Sequence, residues 1–345
     1  MSLNIISQLG KKTLVIVHKD FLLKQWRERI EEFLPEARVG LIKAKVIDIE
    51  DKDIVMASLQ SLAMKEYDNY VFNDFGFVIV DECHRIASEI FSKALYKINF
   101  RYSLGLSATI NRKDGLSKVF KWHIGDIIYK GSKANEKIDV KKQPNVYIIE
   151  YLKDYIREYN NEELMFNNKP NMSKMINNIC NYHKRTEYII NLIIQIKNKD
   201  NNRNIILLSD RREHLRLMKN MIDNENNPNI KKSGFYVGGM KEEELKYTEN
   251  ECDIIFATFS MAAEGLDIPK LNTLILASPK SDVQQSCGRI LREKPEERNY
   301  IPLIIDLYDN FSLFSNIGNK RKKFYKKEKY NIYELKSKDF DYNQI

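Results

Sequence analysis

Short runs of apolar, often β-branched residues recur along the chain, and amphipathic stretches separate them. Continuous apolar runs of this kind are typical of strands that are buried on both faces of a parallel sheet. Their alternation with amphipathic stretches predicts an α/β protein. The predicted strands are 13–18, 53–58, 77–82 and 101–109 in the first half and 204–209, 253–260, 272–278 and 301–308 in the second.

The alternation is interrupted between residues 131 and 172, where the chain is polar and rich in Asn and Lys, although VYIIEYL at 146–152 has the composition of a strand. A chain of 345 residues suits two domains of ordinary size. We therefore expect a first lobe, a linker or insertion, a second lobe and a basic C-terminal extension. These segments are predicted to span 1–130, 131–172, 173–310 and 311–345.

The opening stretch LGKKT looks like a phosphate-binding loop, which follows the pattern Gly-x-x-x-x-Gly-Lys-Ser/Thr and connects a strand to a helix. The spacing is wrong, because Ile5 stands where the pattern needs its first glycine and two lysines separate Gly10 from Thr13. The order is also reversed, since the apolar run 13–18 follows the glycine. Apolar residues before Gly10 recur about every three residues, so we interpret Gly10 as a helix C-cap.

The composition is that of a soluble globular protein, with 43% hydrophobic and 30% charged residues. No apolar run approaches the ~18 residues of a membrane helix, and the amphipathic start lacks the basic leader of a signal peptide. Four cysteines far apart in the sequence favour reduced intracellular thiols over disulfides or zinc. The net charge of +8 favours a polyanionic partner, but it is weak support alone.

The stretch FVIVDECHRI, at 77–86, ends an apolar strand in two adjacent carboxylates that are followed by Cys and His. At the carboxyl edge of a parallel sheet, an acidic pair can hold a phosphate-bound Mg²⁺ and polarise a water molecule. Asp81 would contact the metal through its waters, and Glu82 would orient the attacking water or accept its proton. His84 would sense the terminal phosphate or relay its presence to a neighbouring loop. The alternative is a solvated strand end, since Asp-Glu pairs are common.

Three further motifs follow in order along the chain. SAT ends a predicted strand at 107–109, ATFSMAAEGLDIP occupies 257–269 and QQSCGRILR occupies 284–292. Together with DECH, they resemble the motifs of the superfamily 2 helicases, and the resemblance covers nearly the whole chain. VIVHKDFLLKQW, DECH and GRILR look most like the XPB-type repair helicases, to which the phage UvsW and poxvirus transcript-release helicases are related.

This resemblance implies two RecA-like lobes of the P-loop NTPase fold, each a mostly parallel sheet covered by helices, with ATP and Mg²⁺ in the cleft between them. Asp81 and Glu82 would bind the Mg²⁺ that arrives with ATP. The residues with implied catalytic or nucleotide-binding roles are Asp81, Glu82, His84, Gly265, Asp267, Gln285, Arg289 and Arg292, and those that would couple hydrolysis to lobe movement are Ser107 and Thr109.

The arginines of the last motif have the most demanding role. Arg289 and Arg292 are three residues apart, which would place both on one face of a helix. From the second lobe they would reach the terminal phosphate, and an arginine in that position accelerates phosphoryl transfer by roughly 10³–10⁵. The alternative is a solvated helix face beside Glu293.

The resemblance also implies contacts with a nucleic-acid backbone, DNA rather than RNA, without sequence reading. The residues expected to make them are His18, Lys19, Gln25, Ser58, Gln60 and Thr258. Phe21 or Trp26 would be able to stack on a base, although the spacing of Trp26 with neighbouring leucines favours core packing. Segment 320–330 mixes lysines with aromatics, and it would either contact nucleic acid or dock its aromatics on the second lobe.

One departure from the family bears on activity. The phosphate-binding loop with its lysine would stand just before the helix that begins at Leu3, which places it past the N-terminus of this sequence. Without that loop ATP should bind poorly, so we interpret the first lobe as truncated, by trimming rather than by loss, because Glu82 and both motif arginines are retained. A smaller departure is Ser286, where many relatives have arginine.

Two other functions fit the same motifs. A nucleic-acid-binding clamp or scaffold would keep the fold without turnover, and a translocase would hydrolyse ATP without unwinding. We expect a monomeric motor that acts on nucleic acid, possesses no membrane segment and works with proteins of a repair or transcription complex. Heavy use of Asn, Lys and Ile suggests the AT-rich genome of a large DNA virus or phage, and hence a location in the host cell or virion.

Overall fold

The computed structural model describes residues 1–83, 89–107, 117–129, 143–151, 154–264, 266, 268–293 and 297–342. The chain forms two compact units, Met1–Asn135 and Glu136–Ile345. In both units mostly parallel strands alternate with helices, which confirms the predicted α/β fold.

The first unit is built around one sheet. Its elements are α1 (Ser2–Leu9), β1 (Thr13–Val17), α2 (Asp20–Phe33), β2 (Val39–Lys43), β3 (Val46–Asp48), β4 (Ile54–Ser58), α3 (Leu59–Met64), a 3-10 helix (Asn69–Phe72), β5 (Phe77–Val80), α4 (Glu89–Leu95), β6 (Tyr102–Gly105) and α5 (Ser117–Ile124). Its described strands are ordered β3-β2-β4-β1-β5-β6, and only the β2–β3 pair is antiparallel. Every residue of β1, β4 and β5 is buried, because apolar clusters cover both faces of the sheet.

The start of the chain follows the predicted order of helix, glycine and strand. Gly10 ends α1 in the left-handed conformation, with φ at 55°, and its N–H donates to the carbonyl oxygen of Ile6 across 3.1 Å. Glycine favours this conformation because it has no Cβ. The interpretation of Gly10 as a helix C-cap is therefore confirmed.

The second unit contains a larger sheet that is parallel throughout its described strands. Its elements are β7 (Asn145–Glu150), α6 (Arg157–Asn160), α7 (Met172–Asn181), α8 (His183–Lys199), β8 (Ile205–Leu208), α9 (Arg212–Asn224), β9 (Ser233–Tyr236), α10 (Glu242–Glu251), β10 (Ile254–Ala257), α11 (Phe259–Glu264), β11 (Thr273–Leu276), α12 (Gln284–Arg289), β12 (Leu303–Tyr308), α13 (Ser312–Lys327) and β13 (Asn331–Lys336). The strand order is β13-β7-β12-β11-β8-β10-β9. Two apolar clusters again cover the two faces.

The second unit starts earlier and ends later than the sequence suggested. β7 lies in the stretch that the sequence assigns to a linker or insertion, yet it pairs with β12 on one side and β13 on the other. β13 and α13 lie in the predicted C-terminal extension and complete the same unit. The aromatics of that extension dock on the unit, since Tyr325 is fully buried and Tyr330 is 7% exposed in its core.

A buried ion pair ties the segment before α8 to the second sheet. Arg185 on α8 makes two hydrogen bonds to Asp309, which follows β12, with N–O distances of 2.9 and 3.0 Å. The hydroxyl of Tyr159, on α6, donates to the same carboxylate across 2.6 Å. Tyr159 and Met175 pack in an aromatic-rich cluster beside this pair. The segment between β7 and α8 is therefore part of the second unit rather than a spacer.

Candidate active site

The acidic pair of DECH lies at the carboxyl edge of the first sheet. β5 runs parallel to β1, with Val80 paired to Ile16, so both strands end at this edge. The chain continues from β5 into Asp81, whose backbone N–H donates to the carbonyl oxygen of Ile16 across 3.0 Å. The strand pairing therefore fixes the backbone of Asp81 where ligands of open parallel sheets bind.

Both carboxylate oxygens of Asp81 accept hydrogen bonds. Oδ1 accepts from the backbone N–H of Glu82 across 2.9 Å, and Oδ2 accepts from the indole Nε1–H of Trp26 across 3.0 Å. Burial raises the pKa of Asp81 above its ordinary value, although the Trp26 bond acts in the opposite direction. The carboxylate is thus partly desolvated but held in one orientation by two donors.

Glu82 adopts a backbone conformation that is unusual for its residue type. Its φ is 49°, in the left-handed region, which costs a non-glycine residue about 1 kcal/mol or more. The following residue secures the turn, because the N–H of Cys83 donates to the carbonyl oxygen of Leu106 across 2.9 Å. Strain of this kind often occurs at functional sites, and here it turns the chain sharply after the strand.

The SAT motif begins next to this turn. Leu106 donates its N–H to Val80 and accepts from Cys83, and Ser107 follows it directly. Gly105 lies so near that a Cβ on it would be 3.0 Å from the sulfur of Cys83. Burial raises the pKa of the Cys83 thiol to about 11, so it is a neutral packing group at neutral pH. The structure therefore brings residues 81–83 of DECH and Ser107, the first residue of SAT, together through the backbone.

The residues expected to contact nucleic acid in the first unit follow β1 and β4, two strands that end at the same edge. Val17, the last residue of β1, pairs with Ser58, the last residue of β4. Lys19 is the N-cap of α2, with Gln25 further along that helix. Ser58 is 8% exposed and caps α3 by accepting the N–H of Ser61.

His18, which precedes the N-cap of α2, is half-buried, and Gln60, which follows Ser58 on α3, is exposed. Their role remains a prediction, as does that of Ser58, whose hydroxyl is engaged in capping.

Trp26 packs partly buried against the cluster that contains β1 and β5. The preference for core packing over base stacking is therefore supported. The contact with Asp81 was missed, because no spacing rule relates residues 55 positions apart in the sequence.

In the second unit, Arg289 and Thr258 lie near opposite ends of one short helix. Thr258 follows β10 and precedes α11, and its hydroxyl is 3.2 Å from that of Ser260. Arg289 donates from Nε to the carbonyl oxygen of Ala262 across 2.7 Å and from Nη2 to that of Ala263. The guanidinium is thus bonded to the carbonyl end of α11, where a cation is favoured.

The expectation that Arg289 and Arg292 share one helix face is wrong. α12 ends at Arg289, and the bonds from Ile290 to Cys287 and from Leu291 to Gly288 span three residues instead of four. Burial of Ile290, at 2% exposed, holds this tightened turn against the core. Arg292 is exposed just beyond it, while Gln285 on the helix is half-buried.

Tyr236 at the end of β9 is a neighbour of this region that sequence reasoning missed. It is 3% exposed and donates its hydroxyl hydrogen to Glu249 across 2.9 Å. Burial raises its pKa, while the positive charges of Arg289 and Arg292 oppose that rise. Both arginines therefore act electrostatically on the same strand end. No sequence signal marks Tyr236, since an aromatic residue ending a strand is ordinary.

Four of the expected site residues, His84, Thr109, Gly265 and Asp267, lie outside the described residues. Within the described ranges, no group of three or more His, Cys, Asp or Glu side chains is arranged to hold a metal ion. Mg²⁺ is commonly bound by one or two carboxylates together with substrate phosphates. Asp81 and Glu82 fit that arrangement, so they suit a metal that arrives with a nucleotide rather than a resident ion.

Models of known protein families match residues in both units. A family model described as the res subunit of type III restriction enzymes matches residues 1–112. A model described as the helicase conserved C-terminal domain matches residues 184–294. "Putative ATP-dependent RNA helicase L396" of Acanthamoeba polyphaga mimivirus is 36% identical over 326 residues, which is 93% of this chain. The chain belongs to superfamily 2 of the helicases.

Other relatives of this superfamily 2 chain are also viral. "Putative helicase 161L" of Invertebrate iridescent virus 6 is 26% identical over 345 residues, 94% of this chain and 73% of the relative. The chain spans 60% of the length of the mimivirus protein. These matches agree with the predicted viral origin.

Solved structures establish the architecture. S. cerevisiae Dbp5 bound to RNA and ADP BeF3 matches 96% of this chain and 78% of its own, with 10% identity and a TM-score of 0.62. This likeness identifies the two sheets as RecA-like lobes. Among the residues that the structure describes, no helix is long and apolar enough to cross a membrane.

Proposed function

We propose that this chain is the motor part of an ATP-dependent nucleic-acid helicase or translocase, acting on duplex DNA. The observation that carries the proposal is the turn after β5. Asp81 and Glu82 lie there at the carboxyl edge of a parallel sheet, and the backbone bond from Cys83 to Leu106 ties them to SAT. A solvated strand end needs neither a strained backbone nor two donors on one carboxylate.

A small set of residues would carry out the proposed ATP hydrolysis. Mg²⁺ bound with ATP would neutralise the phosphate oxygens. Asp81 would hold that ion through water ligands, and Glu82 would orient the attacking water and accept its proton. Gln285, Arg289 and Arg292 would bind the terminal phosphate and stabilise the charge that develops on it.

The bond of Arg289 to α11 means that this guanidinium must exchange carbonyl partners for phosphate oxygens. Arginine suits that exchange, because its planar guanidinium group donates paired hydrogen bonds to phosphate as readily as to protein oxygens.

The proposed contact with nucleic acid uses the edge where β1 and β4 end. Lys19 and Gln60 would bind backbone phosphates there, together with His18, Gln25, Ser58 and, in the second unit, Thr258. Such contacts carry no sequence preference and weaken as salt rises. The name of the mimivirus relative refers to RNA, so DNA and RNA duplexes belong in the same assay.

The deciding experiment is ATP hydrolysis with and without duplex DNA or duplex RNA. It should be run on residues 1–345 and on the same chain preceded by a strand and a Gly-x-x-x-x-Gly-Lys-Thr loop. Hydrolysis that rises with nucleic acid in either protein supports the proposal, and the duplex that stimulates more identifies the substrate. Binding of nucleic acid without hydrolysis in both would instead establish a clamp. Strand displacement then separates a helicase from a translocase.

A further inference from the structure

The hydrogen bond from Trp26 to Asp81 is not required by either residue's packing. Trp26 already buries part of its ring against the core beside β1. Its Nε1–H nevertheless points at Oδ2 of Asp81 across 3.0 Å. Water would also satisfy the indole N–H, so packing of the ring does not by itself explain why this N–H is directed at a charged carboxylate.

The local architecture explains how the indole reaches the sheet edge. β1 and β5 are neighbouring parallel strands, and α2 starts three residues after β1 ends. Side chains on a helix lean toward its N-terminus. Trp26 therefore extends back along α2 toward the edge where Asp81 follows β5, and its long, rigid ring spans the gap.

The bond completes the fixation of the carboxylate. The backbone N–H of Glu82 holds Oδ1, and the indole holds Oδ2. With only the first donor, the carboxylate would rotate about its χ2 torsion, which is broad for aspartate. With both donors bound, the lone pairs of the Asp81 carboxylate that remain available face one direction. A donor bound to a charged acceptor is among the stronger hydrogen bonds in proteins.

The same helix carries residues that the proposed function assigns to nucleic acid. Lys19 is its N-cap, and Gln25 directly precedes Trp26. Any shift of α2 that follows contact with a phosphate backbone would move the indole and hence the carboxylate it orients. This connection runs through one helix of about four turns, about 20 Å long.

We propose that Trp26 is a positioning residue for the metal-binding carboxylate Asp81, and that through α2 it makes Mg²⁺ binding respond to nucleic acid. The inference rests on the proposed function for its Mg²⁺ and ATP. The contact itself does not, since it is a property of the first unit alone.

The first measurement tests the contact without any activity. The chain has two tryptophans, and Trp122 is 78% exposed. In Trp122→Phe protein, excited at wavelengths that tyrosine does not absorb, fluorescence comes from Trp26 alone. Adding Asp81→Asn should change its emission maximum and intensity, because a charged acceptor is replaced by a neutral amide. Unchanged emission would overturn the inference, whatever the ATPase activity.

The second measurement tests the role. Trp26→Phe keeps an aromatic ring and removes the donor, and Trp122→Phe is the matched control with the same chemical change at an exposed position. In the loop-extended protein, Trp26→Phe should raise the Mg²⁺ concentration for half-maximal hydrolysis about tenfold, as expected for one lost hydrogen bond to a charged group. The rate at saturating Mg²⁺ should largely recover, and stimulation by nucleic acid should fall.

A purely structural role predicts a different pattern. Trp26→Phe would then lower the melting temperature and the rate at every Mg²⁺ concentration, with unchanged half-saturation, and that result would overturn the inference. If the unsubstituted protein hydrolyses no ATP, the proposed function fails and the role of Trp26 in Mg²⁺ binding fails with it. The fluorescence result would still show whether the indole contacts Asp81, so the two failures remain distinguishable.

Discussion

The backbone N–H of Cys83 donates to the carbonyl oxygen of Leu106 across 2.9 Å, and the N–H of Leu106 donates to Val80 across the same distance. These two bonds extend the pairing of β5 with β6 beyond the regular strands. They place Cys83 of DECH and Leu106, which directly precedes SAT, in one continuous series of backbone hydrogen bonds. A displacement of either motif must therefore displace the other.

The first prediction concerns the close approach at this series of hydrogen bonds. A Cβ on Gly105 would lie 3.0 Å from the sulfur of Cys83 and 3.2 Å from Cδ1 of Ile124. Because these bonds prevent easy relief, Gly105→Ala should destabilise the protein by about 1–3 kcal/mol in urea unfolding. Gly288→Ala is the control, since a Cβ there meets nothing within 4 Å. Equal midpoints for the two variants would contradict the prediction.

The second prediction concerns the ion pair in the second unit. Arg185 is fully buried and Asp309 is 2% exposed, so Arg185→Leu leaves an uncompensated buried carboxylate. The expected loss is about 3–5 kcal/mol in the free energy of unfolding, measured with urea. Arg185→Leu combined with Asp309→Asn should be less destabilised than Arg185→Leu alone, because the stranded charge is removed.

The exposed pair Arg38–Asp53 provides the comparison. It also has short contacts, with Arg38 Nη2 2.8 Å from Asp53 Oδ1, but the side chains are 59% and 46% exposed. Arg38→Leu should therefore destabilise the protein far less than Arg185→Leu does. A cost for Arg38→Leu as large as that for Arg185→Leu would show that burial does not set the difference.

The third prediction is a pH dependence that originates in His214. Its ring is 3% exposed, and Nδ1 and Nε2 lie 3.1 Å and 3.3 Å from the hydroxyl oxygens of Ser209 and Thr186. Burial lowers its pKa to about 3, with a further contribution from Arg185. As the pH falls below about 6.5, the unfolded imidazole binds a proton that the folded one rejects. Stability is therefore lost as the pH falls.

Between pH 7 and 4.5 this loss should reach roughly 2–3 kcal/mol. His214→Gln should flatten the corresponding part of the stability curve, measured by urea unfolding at each pH. His183 is the matched control, since its side chain is 64% exposed, and His183→Gln should change the slope less than His214→Gln does. A slope that survives in His214→Gln would assign the pH dependence to other groups.

The fourth prediction concerns Glu82. Glu82→Gln keeps the size of the side chain and removes the base, so ATP hydrolysis by the loop-extended protein should fall by about 10²–10⁴. Binding to duplex DNA, measured by fluorescence anisotropy, should persist. Glu36→Gln, at an exposed position of the same unit, should hydrolyse at the parent rate. Full activity in Glu82→Gln would remove Glu82 from the proposed chemistry.

Strands with continuous apolar sequence were predictable. β1, β4, β5, β8 and β11 all lie within predicted runs, because burial on both faces favours apolar residues at nearly every position. The missed strands are at or near sheet edges. β13 (NIYELK) has no fully buried residue and β2 (VGLIK) buries only alternate residues, so neither has the composition of a central strand. The edge strand β3 of the first sheet, whose three residues are all exposed, was missed for the same reason.

In the candidate site too, features set by neighbouring residues were predictable, and features set by tertiary packing were not. The position of Asp81 at a strand end followed from sequence, since a buried strand must stop where charges begin. Its contact with Trp26 depends on the lean of a side chain on α2, and the end of α12 depends on how Ile290 meets the core. These are tertiary effects, and neither leaves a pattern in neighbouring residues.

The placement of β7 between β12 and β13 has a consequence for synthesis. β7 leaves the ribosome about 150 residues before β12 and about 180 before β13, a delay of roughly 10–40 s at ordinary elongation rates. The strands of the first sheet pair with one another, and all of them precede β7 in the chain. Both edges of β7, in contrast, stay unpaired until β12 and β13 have been synthesised. An apolar strand in that state is prone to pair with other chains. Slow translation or a chaperone that covers residues 145–150 should therefore govern the soluble yield of this protein.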